Sequence, residues 1–81
     1  MYKISISIYW LHLDLIQKII LKHGALYDNI QYWKIKGNQY YKVEAVLTSS
    51  EVKKVLHELE QLTLSPAILV DIYKINTYFL G

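Results

Sequence analysis

Polar and apolar residues alternate from the start of the chain. In "KISISIYW", Ile4, Ile6, Ile8 and Trp10 fall on one face of an extended segment, and Lys3, Ser5, Ser7 and Tyr9 on the other. A period of two predicts a half-buried strand. The period lengthens in "LDLIQKIILKHG", where Leu13, Ile16, Ile20 and His23 line one helical face with Ile19 beside them. Asp14 suits the N-terminal cap or first turn of that helix, and Gly24 suits the left-handed position just past its end. "NIQYWKIKGNQYYKVEAVL" predicts two strands around a turn at Gly37-Asn38. On the second strand Tyr41, Val43, Ala45 and Leu47 share one face, and Tyr40, Lys42 and Glu44 the other. The first strand is irregular: Ile30 and Tyr32 are out of phase with Trp33 and Ile35, which predicts a bulge or burial on both sides.

Thr48 and Glu51 form an S/T-x-x-E capping pattern. Val52, Val55, Leu56, Leu59 and Leu62 then follow at helical spacing, with Lys53, Lys54, Glu58 and Glu60 toward solvent. Pro66 punctuates the next loop. "AILVDIYKI" predicts a last strand, in a central or two-sided position because of its density of Ile and Val, and "NTYFLG" follows as an apolar tail. Strand, helix, strand, strand, helix, strand is the order of an α+β, ferredoxin-like βαββαβ domain. Its four-stranded antiparallel sheet carries two helices on one face.

A chain of 81 residues predicts one such domain over residues 1–81. The apolar fraction of 53% exceeds what one small core needs, so a homodimer interface or attachment to a larger protein is expected. Cysteine is absent, which excludes disulfides, thiolate metal sites and cysteine nucleophiles, and fits a reducing compartment. All nine basic residues are lysine, so the planar fork that recognises phosphate is missing and nucleic acid is not the expected partner. No segment reaches the roughly 18 apolar residues of a membrane span.

The candidate chemistry is sparse. His12, His23 and His57 lack neighbours at metal-binding spacing, and no glycine-rich phosphate loop or nucleophile motif is present. No metal, cofactor or enzymatic activity is therefore expected. Glu44 and Asp71 suit the open sheet face, where with Lys42 they would form an ion-pair ladder. Tyr9, Tyr32, Tyr40, Lys42 and Tyr73 are placed on that same face as an interaction surface. Stacking single-stranded nucleic acid on these aromatics is the alternative function.

"VEAVLTSSEVKKVLHELEQLTLSPAILVDIYKI" resembles the end of the MgtC/SapB family through Glu44, Ala45, Leu47, Leu59, Leu62, Leu64, Ser65 and Val70. "SISIYW…LIQKIILKHG" is similar to that family's first strand and helix in length and pattern, although Gln17-Lys18 stand where the family often has arginine. The resemblance implies an ACT-like, cytoplasmic C-terminal domain tethered to the inner membrane by an N-terminal part that this sequence does not contain. It also implies a role linked to low-magnesium growth and virulence, with no site residue carried over. ACT-like domains take small ligands near the first strand–helix loop, which points here to Trp10, His12 and Asp14. The reading is a non-catalytic regulatory or interaction domain, either dimeric or docked on its own membrane domain, with a possible small-molecule ligand.

Overall fold

The computed structural model describes residues 1–24, 30–35, 37, 39–64 and 68–75. Asn38, Ser65, Pro66 and the tail from Asn76 lie outside the described residues. The elements are β1 (Tyr2–Tyr9), a 3-10 turn (Trp10–His12), α1 (Leu13–Lys22), β2 (Gln31–Ile35), β3 (Tyr40–Leu47), α2 (Ser49–Glu60) and β4 (Leu69–Lys74). The strands form one antiparallel sheet in the order β2-β3-β1-β4. This is the ferredoxin-like fold.

Alternation decides which side of β1 is dry. Ile4, Ile6 and Ile8 are fully buried beneath the helices, beside Val43, Ala45 and Leu47 of β3. Ile16, Ile19 and Ile20 of α1 and Val52, Val55 and Leu59 of α2 close the core from above. Each of these Ile, Val and Leu side chains contributes about 1.5–3 kcal/mol by leaving water. Trp10 does not continue the Ile face, because the chain leaves the strand at Tyr9 and the indole stands about half exposed on the 3-10 turn.

Both helices end as their sequences direct. Thr48 caps α2: its Oγ1 accepts from the Glu51 N–H at 3.3 Å, while Glu51 Oε1 accepts from the Thr48 N–H at 2.8 Å. Gly24 follows α1 at φ +123°, a conformation that L side chains rarely adopt. Gly37, at φ +68°, turns the chain between β2 and β3. Glu58 does not face open solvent. It bridges the helices, receiving Lys22 Nζ on one oxygen at 3.2 Å and meeting His23 Nε2 with the other.

Two strand expectations change. β2 pairs one-to-one with β3 over its whole length, without a bulge, and its first four residues are exposed. Its double phase belongs to an edge strand with a little apolar surface on each side. β4 is not central. It is the opposite edge, and Leu69, Ile72 and Tyr73 are exposed there.

Candidate functional site

The register assigns every side chain of the sheet to a face. The open face carries Ile35, Tyr40 and Tyr9 in one row, and Trp33, Lys42, Ser7 and Leu69 in the next. Gln31, Glu44, Ser5 and Asp71 form a third row, and Val46, Lys3 and Tyr73 a fourth. Tyr9, Tyr40, Lys42 and Tyr73 therefore share this face. Tyr32 does not: it lies opposite Val43, on the helix side, with its ring 5.9 Å from that of Tyr41. A one-residue error of phase flips a strand residue to the other side, and the irregular pattern of β2 concealed the phase. Trp33 takes the open-face position instead. Its parity with Ile35 was the available signal.

Charge on the open face is organised around Glu44. Lys3 and Lys42 hold its carboxylate at 3.6 and 3.8 Å. The same two ammonium groups lie over the rings of Tyr73 and Trp33, at 5.5 and 5.8 Å from the centroids. Asp71 sits across Ser5 from Glu44 and has no ion-pair partner among the described residues, so the expected ladder is half present. Two carboxylates across the middle of the face oppose a nucleic-acid backbone, and Tyr32 is lost to the other side. Both facts weigh against the single-strand reading.

The second candidate group lies where β1 ends. The Trp10 N–H donates to the Gln39 carbonyl at 2.8 Å, which ties the 3-10 turn to the chain entering β3. The Tyr9 ring stands 5.9 Å from Trp10, 6.5 Å from His12 and 5.6 Å from Tyr40. Trp10 and His12 are thus brought together by Tyr9, which links this corner to the open face. Asp14 lies exposed in the first turn of α1 and is not part of the ring cluster. An open cleft of about 390 Å³ lies elsewhere on the described surface, lined by His23, Lys53, Lys54, His57, Glu58 and Gln61.

Two carboxyl groups are held below the usual glutamate range, and both serve the helices. The backbone N–H and hydroxyl of Thr48 lower that of Glu51, with help from Lys54. His23 and then Lys22 lower that of Glu58. Among the described residues, no three His, Asp or Glu side chains gather in a way that would hold a metal ion. No helix of the described residues is long and apolar enough to cross a membrane.

Neither a known protein family nor a curated protein matches the sequence. Solved structures do match the fold, among them PII-like proteins. A candidate PII-like signaling protein from Thermus thermophilus superposes with a TM-score of 0.73 at 12% identity, over 88% of this chain and 82% of its own. The apo form of CPII, a nitrogen regulatory PII-like protein from Thiomonas intermedia, gives a TM-score of 0.72 at 12% identity, over 89% and 85%. CPII bound to ADP, AMP and acetate gives 0.73 at 12% identity, over 89% and 82%.

Proposed function

We propose that this chain is a non-catalytic regulatory domain that takes a small planar ligand against the aromatic corner at the end of β1. The observation that carries this reading is the Trp10 indole. It is about half exposed, yet held by a backbone hydrogen bond to Gln39 and by the Tyr9 ring, at the end of a central strand. An exposed ring that is already fixed loses little entropy when a second ring stacks on it. The likeness to PII-like regulators supports the regulatory part, and the adenine nucleotides bound to CPII suggest the ligand class to test first.

The finer reading is the cytoplasmic tail of an MgtC-type membrane protein. It rests on packing positions such as Ala45, Leu47 and Leu59 and adds a membrane tether as partner. The test is an amide NMR titration with AMP, ADP, magnesium and a short single-stranded RNA in turn. Nucleotide shifts confined to Tyr9–Asp14, Gln39 and Tyr40 support the proposal. Shifts across Trp33, Lys42 and Tyr73 with RNA overturn it, as does a lack of response to nucleotides.

A further inference from the structure

The composition of β4 contradicts its place. "LVDIYK" has the Ile and Val density of a strand with neighbours on both sides, yet it is an edge. Its exposed apolar residues lie on both faces: Leu69 and Tyr73 on the open face, Ile72 on the helix side. Edges that must stay unpaired are blunted by proline, a bulge or charged side chains. Between Leu69 and Lys74 there is no proline and no bulge, the register with β1 is unbroken, and the only charges are Asp71 and the terminal Lys74.

We propose that β4 pairs antiparallel with β4 of a second copy of this chain, joining two four-stranded sheets edge to edge. The free hydrogen-bonding groups fix the geometry. The Ile75 N–H donates to the Met1 carbonyl at 2.9 Å, so Ile75 turns its polar groups toward β1. Along an antiparallel ladder this orientation alternates. Tyr73, Asp71 and Leu69 therefore also bond β1, while Val70, Ile72 and Lys74 aim their N–H and C=O groups outward. A two-fold axis through the sheet can join those outward groups in two central registers. In one, Val70 pairs with Ile72 of the second copy, which sets Asp71 directly opposite Asp71; like charges in that position are destabilising. In the other, Ile72 faces Ile72 on the axis, Val70 pairs with Lys74, and Asp71 faces Tyr73.

The second register is self-complementary. It covers both Ile72 side chains with each other. It also sets Asp71, which lacks an ion-pair partner among the described residues, opposite the ring over which Lys3 of the other copy lies. Such an isologous contact closes on itself and leaves no further β4 edge to propagate.

The experiment uses the full chain, unmodified. Sedimentation velocity reads its mass, and a mixture of isotope-labelled and unlabelled protein is examined for intermolecular contacts. The expected result is a dimer with an Asp71 Hα to Tyr73 Hα contact between copies and slowly exchanging amides at Val70, Ile72 and Lys74. Within one strand those two Hα atoms are too far apart to give the signal. Ile72→Lys sets two ammonium groups on the axis and is expected to yield a monomer whose β1 and β3 amides stay protected. Three results overturn the proposal: a monomer at NMR concentration, a dimer whose intermolecular contacts come from Tyr9, Tyr40 or Trp33, or protected outward amides without an intermolecular contact. The last would mean that the chain covers its own edge.

Discussion

Gly24 and Glu51 show how one residue can serve two elements. A Cβ on Gly24 would run into the Glu51 carboxylate, whose other oxygen caps α2. Gly24→Ala therefore imposes a strained φ and pulls Glu51 away from Thr48, at roughly 1–3 kcal/mol for the backbone alone. Thr48→Ala removes the reciprocal bond and costs about 1 kcal/mol. Because both changes act on one cap, urea denaturation of the double variant is expected to show less than the sum of the two losses. The lowered carboxyls of Glu51 and Glu58 also set a pH dependence. Their folded values lie below the ordinary 4.5, so their contribution is present above that pH and is lost as pH falls through the folded values. The urea midpoint should drop on acidification below about 4.5, and Glu58→Gln should make that drop shallower.

Among the elements, β1 is the most constrained and β2 the least. Ile4, Ile6 and Ile8 of β1 are fully buried beneath the helices, so Ile6→Val should cost about 0.5–1.5 kcal/mol and Ile6→Ala about 2–5, read from denaturant midpoints. β2 is an exposed edge, and Trp33→Ala there should cost less, about 1 kcal/mol, mainly by removing the ring beneath Lys42. The same contrast explains what was readable. Ile4, Ile6 and Ile8 signal their face because the residues between them, Ser5 and Ser7, are polar. Tyr32 and Trp33 do not, because β2 is exposed on both sides, and their faces follow only from pairing with Val43 and Lys42.

At the scale of the whole molecule, the described residues form two layers with one sheet face left open, and the aromatic corner sits where β1 leaves that sheet. Trp10→Ala tests whether the corner works as a unit separate from stability. The expected outcome is a folded protein with an unchanged urea midpoint to within about 0.5 kcal/mol, since the ring is about half exposed. The nucleotide-dependent NMR shifts at Tyr9, His12 and Tyr40 should be lost in the same protein. A large loss of stability would instead make Trp10 a packing residue.

What the sequence alone determined was everything written in local periodicity and local caps. The helix α1 with its glycine stop and the capped α2 satisfy their own backbones, and they and the strand β1 each declare their own buried stripe within a dozen or so residues. The βαββαβ order followed from those. Tertiary structure alone decided whatever depends on a neighbour distant in sequence. It put Tyr32 and Trp33 on opposite faces, sent Glu58 to Lys22 and His23 across the helices, and placed an Ile- and Val-rich β4 at an edge. Hydrogen bonding between strands sets register and order, and that information is shared between two segments, so neither one carries it by itself.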